Sequence, residues 1–241
     1  MIKPKKSLGQ NFLIDKNIIK KITNQINIEN ENIVEIGPGL GNLTDFIITK
    51  KPKNLILIEK DLKLFNYLKK KYKDQKNIQI INTDVLKYNF SKLNNINIIS
   101  NLPYNLSTKI IIKLIFCNNN ITNIICMIQK ELAEKFDYNK GKMNKYKFII
   151  KICANYKMLF NVSNKVFYPK PKVNSKVVKF KLKNIQVDQR KLSNFTNNIF
   201  KNKRKNLRNK IQNSSLIDEK ILSKRVEELT FRELLKIYNF F

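Results

Sequence analysis

The chain has 241 residues and carries 48 Lys and Arg against 18 Asp and Glu, a formal net charge of +30. This length, with 42% hydrophobic residues, suffices for one large domain or a core domain with a small appendage, and it excludes a disordered polycation. Since the chain contains no histidine, it cannot use Ser-His-Asp or Cys-His nucleophile systems, His-ligated zinc or an imidazole proton shuttle.

Short apolar runs alternate with helix-like segments through the first half of the chain. The pattern predicts strands at residues 32–36, 54–59, 78–81, 96–100 and 121–128, and helices at 42–50, 62–71, 108–116 and 130–136. Near-continuous runs of Ile, Val and Leu separated by helices are typical of a parallel sheet covered on both faces. We therefore predict an α/β fold built on a Rossmann-like sheet.

The pattern changes after the proline-marked segment 167–171. Residues 172–183 alternate between apolar and polar side chains, which predicts a closing strand of the sheet. Beyond them we predict only short helices, at residues 189–200, 203–213, 220–228 and 231–240. The sequence thus predicts two domains, residues 1–183 with the sheet and residues 184–241 as a small all-helical domain.

Successive predicted strands end in residues that suit a nucleoside ligand, at the edge where open α/β sheets bind ligands. Gly37, Gly39 and Gly41 let the backbone approach a ligand closely before a helix, although a tight packing turn has the same glycines. Glu59 ends the second strand, where a carboxylate can accept hydrogen bonds from both ribose hydroxyls or simply be a surface residue. Asp84 follows the third strand and can accept a hydrogen bond from an adenine amine, cap a helix, or do both.

The segment Asn101-Leu102-Pro103-Tyr104 follows the fourth strand and suits methylation of an exocyclic amine. The amine of adenine is a poor nucleophile because its lone pair is delocalised into the ring. The Asn101 amide oxygen and the Leu102 carbonyl can accept hydrogen bonds from its two N–H groups, which favours a pyramidal nitrogen. The lone pair of that nitrogen then points at an electrophilic methyl group. Tyr104 offers an aromatic face to a base taken out of its stack. The alternative is a simple turn that ends the strand.

The large positive charge has two possible origins. Lys, Asn and Ile make up 115 of the 241 residues, and an AT-rich genome raises all three without selection for a polyanion. The stretch 201–210 is more informative, because it has six cations, no acidic residue and two of the five Arg. It predicts RNA phosphate contacts, with a solvated helix as the alternative; the candidate residues are Lys201, Lys203, Arg204, Lys205 and Arg208.

Three cysteines lie in apolar runs without a CxxC pair, which favours buried, reduced thiols in a cytosol-like compartment. No apolar stretch approaches the ~18 residues of a membrane span, and no apolar segment follows the basic N-terminus as it does in a secretory signal. We expect no membrane partner, no metal, a monomer, and a location in a bacterial cytoplasm or an organelle matrix.

Over nearly its full length the sequence resembles the small-subunit ribosomal RNA adenine N6,N6-dimethyltransferases. The segments that carry the resemblance are Leu8-Gly9-Gln10-Asn11-Phe12-Leu13, Val34-Glu35-Ile36-Gly37-Pro38-Gly39-Leu40-Gly41, Asn101-Leu102-Pro103-Tyr104, Met127-Ile128-Gln129-Lys130-Glu131, and Phe167 through Val178. The helical tail matches in outline. One departure is Tyr146-Lys147-Phe148, which stands where relatives usually have Tyr-Gly-Arg and puts one RNA contact in doubt.

The resemblance implies a class I methyltransferase sheet with a C-terminal helical domain that binds RNA. It implies S-adenosylmethionine as co-substrate, held by Asn11, Leu13, Gly37, Glu59, Asp84 and Asn101. The catalytic residues would be Asn101, Leu102, Pro103 and Tyr104. The implied reaction is dimethylation of N6 on two adjacent adenosines near the 3′ end of small-subunit rRNA, within an assembling subunit. Two alternatives are a large-subunit rRNA adenine methyltransferase of the macrolide-resistance type and a non-catalytic assembly or transcription factor.

Overall fold

The computed structural model describes residues 4–5, 9–117, 119–201, 207–209 and 217–241, so Leu8 and most of the basic stretch lie outside the described residues. The strands are β1 Phe12–Leu13, β2 Asn32–Ile36, β3 Asn54–Glu59, β4 Ile78–Asn82, β5 Ile96–Asn101, β6 Ile121–Gln129, β7 Ala154–Val162, β8 Phe167–Tyr168 and β9 Ser175–Leu182. The helices are α1 Lys16–Thr23, α2 Asn42–Ile48, α3 Leu62–Lys71, α4 Ser107–Ile115, α5 Lys130–Phe136, α6 Lys145–Cys153, α7 Gln189–Ile199, α8 Glu219–Leu222 and α9 Phe231–Phe240.

Seven strands form the central sheet in the order β4-β3-β2-β5-β6-β9-β7. The first five in this order are parallel, as predicted. The apolar runs of β2, β3, β5 and β6 are buried because helices cover both faces of the sheet, whereas β4 at the edge is only partly buried. Strand order reverses at β2, which pairs with β3 on one side and β5 on the other. The carboxyl ends of these strands therefore meet at one edge, beside the crevice where open α/β sheets bind ligands.

The last two strands of the sheet run antiparallel to their neighbours. β9 pairs with β6, and β7 pairs with β9 and forms the edge. The predicted closing strand is therefore present as β9, but it is the next-to-last strand of the sheet rather than its edge. It begins at Ser175, so Val173 lies outside the strand and is exposed. The edge strand β7 and the helix α6 before it were not predicted.

The C-terminal helices pack on α6 through aromatic side chains. The Phe148 ring of α6 lies 5.5 Å from the Phe195 ring of α7 and 5.6 Å from the Phe231 ring of α9. These residues belong to the same buried cluster as the sheet, so the domain boundary near residue 183 stays a prediction. In the described ranges, no helix combines the length and the apolar character that crossing a membrane requires.

The tail is less helical than the sequence pattern predicts. The predicted helix at 220–228 is two elements, α8 and a 3-10 turn at Val226–Glu228. The chain breaks between them because the Arg225 N–H donates to the Glu228 carboxylate at 2.9 Å and starts a new turn. Of the predicted helix at 203–213, the structure describes only Leu207–Asn209, which form a 3-10 turn.

A two-stranded ribbon holds the N-terminal segment against the sheet. β1 and β8 are antiparallel, with Phe12 opposite Tyr168 and Leu13 opposite Phe167. Leu13 and Phe167 are buried in the apolar cluster on one face of the sheet, which anchors the ribbon. After the ribbon, Asp15 caps α1 by accepting from the Ile18 N–H at 2.9 Å.

Candidate active site

All nine residues predicted for the cofactor and catalytic sites line one cavity at the carboxyl edge of the sheet. They are Asn11, Leu13, Gly37, Glu59, Asp84, Asn101, Leu102, Pro103 and Tyr104. The structure thus brings together the ends of β2, β3, β5 and the turn after β4 with the N-terminal ribbon. The role of each residue in this cavity stays a prediction.

The glycine turn between β2 and α2 provides both open space and close packing. Gly37 has φ +65°, and a Cβ built there would meet no atom within 4 Å, so the backbone faces free space in the cavity. Gly39 has φ +60°, and a Cβ there would lie 2.8 Å from the Phe12 ring. Gly37 therefore leaves room for a ligand, whereas Gly39 allows close packing against Phe12.

Glu59 is buried, with 5% of its surface exposed, so the surface alternative is wrong. One carboxylate oxygen accepts from the Asp61 N–H at 2.8 Å, and the other accepts from the Gly39 N–H at 3.3 Å. Burial raises the pKa of Glu59, and these N–H groups oppose that rise. The carboxylate is thus held rigidly at the cavity wall with its remaining lone pairs available to hydroxyl donors.

Asp84 closes the turn after β4 and also lines the cavity. Its Oδ1 accepts from the Leu86 N–H at 2.9 Å, and its Oδ2 pairs with Lys60 Nζ at 2.9 Å. The hydrogen bond from Lys60 lowers the pKa of Asp84, so the group is ionised. The turn-capping and ligand-facing interpretations of Asp84 remain compatible.

Asn101 at the end of β5 is oriented by the N-terminal segment. Its Nδ2 donates to the Asn11 carbonyl at 2.8 Å, which turns its Oδ1 to the opposite side of the amide. The Leu13 carbonyl of the same segment accepts from Asn42 Nδ2 at 2.8 Å, so the segment is also tied to the glycine turn. A carbonyl oxygen in a fixed direction is what an amine N–H donor requires.

Tyr104 closes the other side of the cavity. Its hydroxyl lies 2.6 Å from Ser175 Oγ at the start of β9, which fixes the ring. Burial raises the pKa of Tyr104, and the Ser175 hydrogen bond only partly offsets this, so the phenol is neutral. The Leu102 N–H donates to the Met127 carbonyl at 3.2 Å, and the following turn is closed because the Pro103 carbonyl accepts from the Leu106 N–H at 3.1 Å.

Glu35 and Phe12 also line the cavity and were not singled out from the sequence. Glu35 is 1% exposed and accepts from Thr44 Oγ1 at 2.7 Å. Burial raises its pKa to about 8, against the lowering effect of the Thr44 hydrogen bond. The available signal was a carboxylate inside an apolar strand, directly before the glycine turn.

The predicted RNA-contacting residues are only partly described. Lys201 is exposed, whereas Lys203, Arg204 and Lys205 lie outside the described residues. Arg208 is exposed and forms an ion pair with Glu219, which partly neutralises its charge. Among the described residues, no three Asp, Glu or Cys side chains are grouped so that they could hold a metal ion.

The whole chain, residues 1–241, matches the family described as ribosomal RNA adenine dimethylase. The chain belongs to this family. Two relatives, both described as ribosomal RNA small subunit methyltransferase A, support this family assignment. The protein from Hydrogenobaculum sp. is 37% identical over 99% of this chain and 94% of its own length. The protein from Malacoplasma penetrans is 40% identical over 86% of this chain and 78% of its own.

Solved structures agree with the fold of this dimethylase. A dimethyladenosine transferase from Plasmodium falciparum superposes with a TM-score of 0.78 at 25% identity, covering 95% of this chain and 97% of the other. The 23S rRNA methyltransferase ErmE superposes with a TM-score of 0.74 at 19% identity, covering 95% and 98%. The second match bears on the fold alone.

Proposed function

We propose that this dimethylase transfers methyl groups from S-adenosylmethionine to N6 of two adjacent adenosines near the 3′ end of small-subunit rRNA. The product is N6,N6-dimethyladenosine, made on an assembling small subunit. The observation that carries the proposal is that Glu59, Asp84, Asn101 and Tyr104 line one cavity at the strand ends. Membership of the dimethylase family supports the reaction, and the names of the relatives support the small subunit as substrate.

The cavity offers open space and hydrogen-bond acceptors that suit S-adenosylmethionine. Gly37 leaves free space at the turn, and the buried Glu59 carboxylate can accept hydrogen bonds from two ribose hydroxyls. Asp84 would accept from the adenine amine of the cofactor, and Asn11 and Leu13 would border its methionine end. When bound, this co-substrate supplies a methyl group on a positively charged sulfur, which keeps the bonding electron pair as the methyl leaves.

The target amine would be activated by positioned acceptors rather than by a base. Asn101 Oδ1 and the Leu102 carbonyl would accept its two N–H groups, and the Tyr104 ring would stack on the adenine. The amine becomes acidic only after it gains the methyl group, so its proton can pass to water without a strong general base. A chain without histidine is therefore compatible with this chemistry.

The basic stretch is the proposed contact to rRNA phosphates, through Lys201, Lys203, Arg204, Lys205 and Arg208. Arg208 would contribute least, because Glu219 already pairs with it. We further propose that the enzyme acts as a monomer and works in the compartment that holds its ribosomes, a bacterial cytoplasm or an organelle matrix.

The test is incubation of the protein with methyl-labelled S-adenosylmethionine and unmethylated small subunits, followed by nucleoside analysis. We expect labelled N6,N6-dimethyladenosine at two adjacent positions from small subunits and none from large subunits. Label found only in large subunits would favour the macrolide-resistance type of methyltransferase. Cofactor binding without label in either subunit would favour a non-catalytic assembly factor.

A further inference from the structure

A second aromatic side chain suited to a nucleobase lies on the ribbon beside the cavity. Tyr168 of β8 is 61% exposed, although it sits in a strand directly after the buried Phe167. A large exposed aromatic side chain on a well-anchored strand is typical of a contact surface rather than of the core.

The register of the ribbon places Tyr168 on the cavity side. Directly opposed residues of an antiparallel pair project from the same face, and Tyr168 is opposite Phe12. The Phe12 ring lines the cavity and packs over Gly39. Tyr168 therefore projects from the cavity-facing side of the ribbon, next to Phe12, but into solvent.

Hydrogen bonds fix the segment that follows Tyr168, so the platform is preorganised. Asn164 Nδ2 donates to the Pro171 carbonyl at 3.1 Å, and the Asn164 N–H donates to Asn174 Oδ1 at 3.1 Å. The Asn174 carbonyl in turn accepts from the Lys130 N–H at 3.0 Å. The next residue, Ser175, binds the Tyr104 hydroxyl, which links this segment to the wall of the cavity.

The charge of the chain segment that carries Tyr168 suits a phosphate backbone. Residues 163–187 contain seven Lys and neither Asp nor Glu. Lys170 and Lys172 are exposed, and no ion pair within the described ranges engages either of them. An exposed aromatic ring with unpaired cations close by is the combination that binds single-stranded nucleotides.

We propose that Tyr168 stacks on the base next to the adenosine in the cavity, with Lys170 and Lys172 facing the adjoining phosphates. This inference rests on the proposed function, since it deepens how that site binds RNA. The two target adenosines are adjacent, so while one is in the cavity the other is the neighbouring base. Tyr168 thus holds the second adenosine unpaired and close to the cavity.

The test compares Tyr168→Leu and Tyr168→Phe with the wild type on unmethylated small subunits. We expect Tyr168→Leu to raise the KM for subunits about tenfold, with the KM for S-adenosylmethionine unchanged, because a stacked base is lost. Tyr168→Phe keeps the ring and should keep the wild-type KM. Tyr67→Leu, at an exposed tyrosine on α3, is the matched control and should also keep it.

A second arm changes the RNA. Small subunits in which one target adenosine is replaced by a pyrimidine should be methylated several-fold more slowly by the wild type, because pyrimidines stack less well. The Tyr168→Leu variant, which has no ring to stack on the base, should methylate the altered subunits as fast as the unaltered ones. An equal loss in both proteins, or a wild-type KM for Tyr168→Leu, overturns the inference while leaving the proposed function intact. A wild type that does not methylate small subunits overturns both.

Discussion

Glu35 is a carboxylic acid buried in β2 immediately before the glycine turn. Its pKa is raised to about 8 by burial, so the folded protein holds a proton that the unfolded chain loses above its ordinary pKa of 4.5. Such a group stabilises the fold fully below pH 4.5, and this stability is lost as the pH rises towards 8. The protonated carboxyl also keeps its Thr44 hydrogen bond without placing a charge in the core.

We predict that Glu35→Gln flattens the pH dependence of stability. Relative to the wild type, its free energy of unfolding should rise by roughly 3–4 kcal/mol between pH 5 and pH 8, because each pH unit between the two pKa values is worth about 1.4 kcal/mol and the effect tapers near each of them. Denaturant unfolding at the two pH values measures the difference. Glu29→Gln, at an exposed position before the same strand, should follow the wild-type curve. Parallel curves for Glu35→Gln and the wild type would contradict a buried neutral Glu35.

Asn101 allows a sharp test of amine activation. Asn101→Ala removes the acceptor for the amine N–H, and we expect kcat for small subunits to fall about 100-fold or more, as when one fixed polar group that stabilises a transition state is deleted. Isothermal titration should show S-adenosylmethionine affinity within several-fold of the wild type. The control is Asn54→Ala, which should leave kcat unchanged. Asn54 is an exposed asparagine at the start of β3, at the edge of the sheet away from the cavity. Equal kcat values for Asn101→Ala and the wild type would remove Asn101 from the mechanism.

At the scale of elements, α6 fixes the loop that precedes it. Lys147 Nζ donates to the carbonyls of Lys140 and Lys142, the second at 3.0 Å, and burial lowers the pKa of this ammonium. Lys142 Nζ in turn pairs with Glu227 at 2.7 Å, joining the loop to the C-terminal helices. The departure at Tyr146-Lys147-Phe148 therefore places a lysine that organises the loop rather than one exposed to RNA.

We predict that Lys147→Met loosens this loop. Two carbonyls lose a charged donor, so stability should fall by about 1–2 kcal/mol, and limited proteolysis between residues 137 and 144 should become faster. Unfolding midpoints and mapped cleavage sites provide the measurement. Lys76→Met, at an exposed lysine, should change neither. Unchanged cleavage in Lys147→Met would mean that other contacts hold the loop.

The elements differ in how far the sequence specifies them. β2, β3, β5 and β6 were predicted because each is an apolar run followed by a helix, so burial on both faces is readable locally. β4 was predicted from its apolar run alone. The run in α6 is as apolar as a strand, and periodicity alone does not separate the two. β1 and β8 have two residues each and exist only because they pair with each other, which no local pattern encodes.

The same distinction holds at the cavity. Glu59, Asp84 and Asn101 were predicted because each follows a readable strand and its side-chain chemistry suits a nucleoside or an amine. The hydrogen bond from Asn101 to the Asn11 carbonyl and the pair between Lys60 and Asp84 join distant parts of the chain. Their partners become neighbours only through the strand order, so sequence reasoning had no means to pair them.

For the whole molecule, the question is which part of the +30 charge binds RNA. We predict that changing Lys201, Lys203, Arg204 and Lys205 together to Gln lowers the slope of log affinity against log salt concentration by about 3 for small subunits, because phosphate contacts release counterions. The control changes Lys69, Lys70, Lys73 and Lys76, exposed lysines on and after α3, and removes the same charge. Filter binding at several salt concentrations measures both slopes. Equal slopes for the two variants would mean that the basic stretch contacts no more phosphates than the lysines near α3 do, and that its charge reflects only the Lys-rich composition of the chain.

The ribbon β1–β8 also has a consequence for how the enzyme is made. Its two strands come from distant parts of the chain, so β1 leaves the ribosome long before its partner has been translated. Until Phe167 and Tyr168 emerge, the N-terminal segment that orients Asn101 lacks its partner strand and is tied to the sheet only by contacts such as the hydrogen bond between Leu13 and Asn42. We therefore expect a nascent chain to complete the ends of β2 to β5 early, and to complete the cavity only after β8 has paired with β1 and β9 has paired with β6.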